Sequence, residues 1–310
     1  MTTTGATASD LGHTDRASTT ETTASPRPRR SGGRWLLLLA LGLICLLWTV
    51  PTIGLLISSF REEQAVDTSG WWTIFASPLD FSQWTLGNYR EVLAGTGGMG
   101  DAFINSLVVT VPATVIPIMI AAFAAYAFTF MRFPGRNLLF IFVVGLLVVP
   151  LQVAFVPLLQ IYVDYDLNGT FLAVWLAHTG FGMPLAIYIL RNYMGSLPKE
   201  IIESAEIDGA THFQTFYRLI LPMSVPALAA FAIFQFLWVW NDLLVALIFL
   251  ASEPTNSVVT IQLTRLLGEF GSEWHLLTAG AFLTMTVPLI VFFSLQRFFV
   301  RGLTAGSVKG

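Results

Sequence analysis

Six long apolar runs separated by polar intervals set the plan of this chain. They fall near residues 35–58, 104–130, 137–160, 170–191, 223–250 and 275–299. Roughly 20 apolar residues in helical conformation cross a bilayer core, and each run reaches that length. The pattern predicts an all-α, polytopic membrane protein with six transmembrane helices. Pro51, Pro112, Pro117, Pro150, Pro157, Pro184, Pro226 and Pro288 lie in these runs. Proline removes a backbone donor and kinks a helix, which membrane helices tolerate where neighbours supply partners. Such kinks suit moving and rigid bundles alike. Residues 1–33 break the pattern, with Thr, Ser, Ala, Pro and Arg dominating. A segment of that kind buries too little apolar surface to offset its ordering entropy, so it is predicted to be a disordered tail. The following run continues through Ile57, well beyond the roughly 7–15 residues of a signal-peptide core, and is expected to be an uncleaved first span.

Charge turns this pattern into a topology. Only 11% of the residues are charged and 55% are hydrophobic, whereas soluble domains carry about 25% charged residues. With the amino terminus placed in the cytoplasm, the outside loops hold Arg61, Arg90 and Arg265, and every other Lys and Arg of the 16 lies inside. Cytoplasmic loops of membrane proteins are enriched in Lys and Arg, so both termini are predicted to be cytoplasmic in a multi-pass bacterial inner (plasma) membrane protein. The outside interval 59–103 carries Trp71, Trp72 and Trp84 among polar residues, as expected of amphipathic segments lying on the membrane surface. The interval 251–274, with Glu253, Arg265, Glu269 and Glu273, is long enough to fold inward or to meet an external partner. The single cysteine, Cys45, excludes an intrachain disulfide. His13, His178, His212 and His275 are scattered and form no metal-binding spacing. No metal site, catalytic site or nucleic-acid partner is expected.

One cytoplasmic interval is structured rather than empty. Pro198 and Glu200 suit the first turn of a short helix, and Asp208-Gly209 marks a turn. Thr211 and Gln214 have the spacing of a capping box, opening a second short helix that is expected to stop before Pro222. Phe213, Phe216, Leu219 and Ile220 can share one apolar face. The unit, about 198–221, reads as a compact knob.

The knob carries a resemblance. Glu203-Ser204-Ala205, then Asp208-Gly209-Ala210, then Phe213, Phe216, Ile220, Leu221 and Pro222 resemble the EAA loop of ATP-binding-cassette (ABC) importer permeases. Phe103 to Leu107, Trp240-Asn241-Asp242 and the closing residues Gln296 to Gly310 are similar to the carbohydrate-uptake, MalG-like class. Ser204 replaces the usual first alanine. The resemblance covers 34–310 and implies a MetI-like, type I importer permease domain, in which the EAA loop inserts into a cleft of a separate ATPase. It implies that Glu203 orients the loop electrostatically, that Ala205, Gly209 and Ala210 allow close backbone approach beside Asp208, and that Phe213 and Phe216 seat the loop. It also implies four kinds of partner: a MalF-like second permease, two copies of an ABC ATPase, an extracytoplasmic sugar-binding protein and the lipid bilayer. The chain has no Gly-x-x-x-x-Gly-Lys-Ser/Thr phosphate loop, so ATP and Mg belong to the partner ATPase, no cofactor is expected on this chain, and it is not expected to be an enzyme.

For the substrate path, Phe231, Gln235, Trp238 and Asp242 follow steps of four, three and four along the fifth run, and Asn241 lies on the neighbouring stripe. A face mixing aromatic surface with hydrogen-bonding groups suits a sugar, and helix packing accounts for it equally well. Gln152, Asn105 and His178 read as helix-contact residues, and His275 as a residue solvated at the outer interface. The spans hold no clear buried cation, which disfavours a strongly anionic substrate. The function expected is import of a neutral sugar, an α-glucoside such as maltose or trehalose among the candidates. The rival is an ion-coupled secondary sugar carrier, which would usually need more paired charge at mid-membrane than the single Asp242.

Overall fold

The structure, a computed structural model, describes residues 32–78, 80–94, 98–251, 253–266 and 273–305, with side chains from 34 to 296 of these. The tail expected over 1–33 therefore lies outside the described residues except for the backbone of 32 and 33. Glu269, residues 306–310 and the side chains of 297–305 lie outside them too.

By internal contacts the chain divides into Met1–Val50 and Pro51–Gly310. In the first unit, helix α1 (Gly32–Ser59) starts with the apolar residues Trp35 to Trp48, all of them exposed. The second unit holds the end of α1, then α2 (Glu63–Thr68), α3 (Gly87–Ala94), α4 (Met99–Phe130), α5 (Arg136–Gly145), α6 (Leu151–Asp164) and α7 (Phe171–Gly195). The short helices α8 (Lys199–Ile207), α9 (His212–Thr215) and α10 (Leu221–Met223) follow, then α11 (Val225–Trp240), α12 (Leu244–Leu250), α13 (Val259–Arg265) and α14 (Trp274–Ala305). Among the described residues there is no strand. By length and composition α1, α4, α7 and α14 can each cross a membrane unbroken. The pair α5–α6, bent by 100°, and the pair His212–Met223 with α11, bent by 70°, bring the possible spans to six.

The core is α4 laid along α7, with α11 across both. Ala113, Ala121, Ala122 and Ala125 of α4 meet Ala173, Ala177 and Ala186 of α7, all of them buried. Small residues let membrane helices approach closely, so that packing replaces the hydrophobic drive that lipid removes. The apolar side chains left outside this core, such as Val115, Met119, Val153 and Val156, are exposed in the isolated chain and suit hydrocarbon.

Several sequence expectations are corrected, the third run first: it is broken between α5 and α6 with a bend of 100°. The fifth apolar run is not one helix, because Asn241 and Asp242 break it. The Asn241 amide donates back to Leu237 O (2.7 Å), and Asp242 Oδ2 accepts the N–H groups of Val245 (2.9 Å) and Ala246 (3.2 Å), starting α12 afresh. Short polar side chains compete for backbone groups in this way. The second knob helix does not stop before Pro222. A π-helical turn over Phe216–Ile220, with Leu221 N–H reaching Phe216 O, carries the helix through to Met223. Pro222 sits in the first turn of α10, where its missing N–H is not needed.

The interval after α1 is organised by one arginine. Arg61, 4% exposed, donates to Gly70 O (3.1 Å), Ser69 Oγ (2.9 Å) and Thr73 Oγ1 (3.3 Å). The Asn88 amide donates to Ser59 O (3.0 Å) and Arg61 O (2.8 Å). Trp72 and Phe81 remain exposed on short helical turns, as expected for an interfacial segment. The described part of 251–274 folds inward. The Asn105 amide donates to Thr255 O (2.9 Å) and Ser257 O (3.0 Å), and Ser106 Oγ accepts Val259 N–H (2.9 Å). His275 is buried rather than solvated.

Hydrogen bonds to a charged group are worth about 1.5–3 kcal/mol each, so Arg61→Ala is expected to speed hydrogen exchange at amides 69–76 by about tenfold or more. Arg61→Lys is expected to fall between the two. Unchanged exchange in Arg61→Ala would show that the segment is held by its aromatic packing instead.

Candidate functional site

The knob is built from three backbone devices. α8 ends in a double closure, with Ala210 N–H to Ala205 O (2.9 Å) and Gly209 N–H to Glu206 O (3.1 Å). This Schellman arrangement requires a left-handed residue after the helix, and Gly209 supplies it at φ +73°. Thr211 then caps α9. Its Oγ1 accepts Gln214 N–H (3.3 Å), and Gln214 Oε1 accepts Thr211 N–H (2.9 Å), so the expected capping box is present. The turn between the helices is thereby closed on both sides.

Anchoring falls to the π-turn and the end of α4. Phe216 is buried, with its ring 4.6 Å from that of Phe123 and 5.3 Å from that of Tyr126. Tyr126 Oη lies 3.2 Å from His212 Nδ1. Ala205 is buried, whereas Glu203, Asp208 and Gly209 are exposed and Ala210 is half-buried. The single apolar face expected from the sequence is divided. Phe216 and Ile220 turn inward, while Phe213 points out and stacks on Tyr217 with centroids 6.2 Å apart and planes 6° apart. Ile207, at the end of α8, is 86% exposed. Ile207 and Tyr217 were not picked out from the sequence. The four-residue step from Phe213 to Tyr217 was the available signal, as was an isoleucine standing before an Asp-Gly turn. A cavity of about 660 Å³ lies in the crook of the knob, between Ser204, Gly209, Gln214 and Arg218.

Of the four residues proposed for the substrate path, Gln235, Trp238 and Asp242 gather around His178, and Asn241 stands apart. Gln235 is fully buried, and its Nε2 donates to Ala113 O (3.2 Å) on α4 and His178 O (3.4 Å) on α7. Trp238 is half-buried and meets His178 edge to face at 5.1 Å. Asn241 is exposed and spent on the end of α11, and Asp242 is spent on the start of α12. His178 Nε2 stands 3.8 Å from Asp242 Oδ2, which places α7 beside the α11–α12 break. Asn105 and His178 thus make the helix contacts expected of them. Gly182, not picked out from the sequence, faces Gln235 so closely that a Cβ there would lie 2.7 Å from both atoms of its amide end. Its signal was a small residue inside an apolar span. Among the described residues no group of His, Cys, Asp and Glu could hold a metal ion.

Residues 113–305 match the family described as "Binding-protein-dependent transport system inner membrane component". The osmoprotective compounds uptake permease protein GgtD of Synechocystis sp. is 60% identical over 86% of this chain and 89% of its own length. The alpha-glucoside transport system permease protein AglG of Rhizobium meliloti is 44% identical over 91% of this chain and 99% of its own. A chain of a bacterial alginate ABC transporter, solved in complex with alginate pentasaccharide-bound periplasmic protein, has the same fold. Its TM-score is 0.58 at 17% identity, over 87% of this chain and 96% of that one. These matches bear out the carbohydrate-uptake, MalG-like resemblance and the MetI-like fold, and they displace the ion-coupled carrier. The chain belongs to the family of binding-protein-dependent transport system inner membrane components, as a multi-pass permease.

Proposed function

We propose that this chain is one of two permease subunits of an ABC importer for a neutral, hydroxyl-rich solute, an α-glucoside or related sugar. The observation that carries the reading is the knob, a rigid double-capped turn on which the apolar side chains of Ile207, Phe213 and Tyr217 stay exposed. Aromatic and aliphatic anchors of this kind seat well in a pocket on a partner. A MalF-like second permease, two copies of an ATPase holding ATP and Mg, and an extracytoplasmic binding protein complete the proposed assembly. The name of the Rhizobium meliloti relative, an alpha-glucoside transport system permease protein, supports a solute of this class. Among the described residues the buried Lys or Arg side chain is Arg61, in the interval after α1, so the helices offer no buried cation to an anionic substrate.

In this reading Phe216 fixes the knob to its own bundle, and Phe213 with its neighbours enters the ATPase cleft. Glu203 orients the approach through its charge. Ala205, Asp208, Gly209 and Ala210 keep the turn thin enough for backbone contact. Closure of the ATPase pair on ATP moves the knobs, and the knobs move the bundle. ATP drives transport only so far as it binds the outward-facing state more tightly than the inward-facing one.

Two sets of variants test this. In the complex purified with its co-expressed neighbours and placed in lipid, Glu203→Arg and Gly209→Glu are expected to abolish sugar-stimulated ATPase activity. Absence of any ATPase from the complex, or normal coupling in both variants, overturns the reading. Thr211→Ala removes a cap worth about 1 kcal/mol, which corresponds to roughly fivefold weaker ATPase association. Thr211→Ser is expected to restore it, and equal affinity in all three would show that the capped turn does not set the docking surface.

A further inference from the structure

Between Asp101 and Asp164 the chain has no carboxylate, and its charged residues there are Arg132 and Arg136, both in the passage from α4 to α5. The knob packs on the same end of α4 through Phe123 and Tyr126. This turn therefore lies on the side that the basic residues mark as cytoplasmic. Packing fixes its shape. The rings of Phe133 and Phe140 lie 6.0 and 5.6 Å from that of Phe128 on α4, and Arg136 Nη1 closes the turn by donating to Met131 O (3.0 Å). Arg191 of α7 lies over the Phe140 ring at 4.3 Å, so a third cation stands against α5 one helical turn beyond Arg136.

The positive charge of this turn is unanswered within the chain. Among the described residues neither arginine has a carboxylate within 4 Å, and the exposed Arg132 makes no hydrogen bond. Arg136 also opens α5, where the helix dipole favours a negative charge, yet the first turn holds no acidic residue. Such a conflict between charge and local structure marks a place completed by something else. A cavity of about 320 Å³ opens between Arg132, Phe133, Arg136 and Asn137, with Leu138 on its lining. From Leu138 the exposed apolar surface runs on along α5 through Leu139, Ile141 and Phe142. The cationic cavity thus meets an apolar face, as the phosphate of a phospholipid meets its acyl chains. The excess of basic residues in cytoplasmic loops accounts for two arginines, but not for a cavity between them at the edge of a lipid-facing surface.

We propose that the α4–α5 turn binds the headgroup of an anionic phospholipid of the cytoplasmic leaflet. Arg132 and the remaining N–H groups of Arg136 donate to the phosphate oxygens, and the acyl chains lie on the exposed face of α5. Guanidinium suits this task, because it stays charged and its fork of donors matches a phosphate. Basic pockets on the cytoplasmic side of membrane helices hold lipid headgroups in this way. A free phosphate would satisfy the arginines but gain nothing from the apolar rim, which is why the lipid is the occupant. The assignment stands on the membrane-spanning character of the chain and is independent of the solute carried.

Cysteine protection tests it in the protein purified with its co-expressed partners and placed in lipid nanodiscs. In a Cys45→Ser background, which removes the chain's one cysteine, Asn137→Cys reports from the cavity lining. Ser196→Cys, exposed at the end of α7 and outside the cavity, serves as control. Alkylation by N-ethylmaleimide is followed on this chain by mass spectrometry. The nanodiscs hold phosphatidylcholine alone, phosphatidylcholine with phosphatidylglycerol, or phosphatidylcholine with inorganic phosphate in the buffer. Phosphatidylglycerol is expected to slow alkylation at 137 by about threefold or more, with little change at 196 and no slowing by inorganic phosphate. Arg132→Gln, which breaks no bond of the fold, is expected to abolish that protection, and Arg132→Lys to keep part of it. Equal slowing at 137 and 196, or protection that survives in Arg132→Gln, overturns the proposal. Equal protection by inorganic phosphate makes the site one for a free anion and overturns the lipid. Alkylation at 137 as slow in phosphatidylcholine as in phosphatidylglycerol overturns it too, since a protein partner then covers the turn.

Discussion

The constraint on which this structure depends is that backbone N–H and C=O groups must find partners where water cannot supply them. Within the described spans that requirement is met by helices, and every departure from helix comes with a visible remedy or a visible debt. At Asn241–Leu243 the remedy is local, since the Asn241 and Asp242 side chains satisfy the end of α11 and the start of α12. At Pro222 it is a π-turn that shifts Leu221 N–H onto Phe216 O. At Gly145–Leu151 the remedy is incomplete, and a cavity stands beside it.

The same constraint decides how the helices hold together. Apolar side chains gain little from leaving lipid for one another, so close approach and interhelical hydrogen bonds carry the specificity. α4 and α7 meet through alanines. α11 is then pinned to both by Gln235 and to α14 by Trp240, whose Nε1 donates to Thr284 O (3.2 Å). The knob joins this block through the chain that leaves α7 at Gly195, through the π-turn packed on α4 and through the short run of chain leading into α11. On the proposed function, a push on the knob therefore acts on α4, α7 and α11 together instead of bending a loose loop.

Much of this was legible in the sequence because its causes are local. Four of the six apolar runs, the Asp-Gly turn and the Thr211–Gln214 capping box each depend on residues a few positions apart, and each reappears in three dimensions. The sequence also carried the family resemblance, since the knob motif is contiguous. What was not legible depends on partners far away along the chain. Helical spacing grouped Gln235, Trp238 and Asp242 on one face, yet Ala113 and His178, 122 and 57 residues distant from Gln235, decide what its amide does. Phe213 and Phe216 look alike in the sequence, and only the position of Phe123 and Tyr126 on α4 turns one inward and leaves the other out. The break at Asn241-Asp242 was readable in principle, but the hydrophobicity on both sides of it outweighed two polar residues in the length argument.

On the proposed function, the knob illustrates how a docking element reconciles rigidity with exposure. A ridge of Phe213 and Tyr217 held only by its own packing would bury these residues against the bundle, since apolar surface is driven out of water. The backbone prevents that collapse. The Schellman closure and the capping box satisfy the polar groups of the turn internally, and Phe216 with Ile220 supplies the apolar anchor in place of the ridge. The ordering entropy of the turn is thus met within the folded chain, so a partner that covers the ridge gains the full benefit of the apolar area it buries. Coupling through a preorganised turn of this kind also transmits displacement with little loss, because the element that binds is the element that moves.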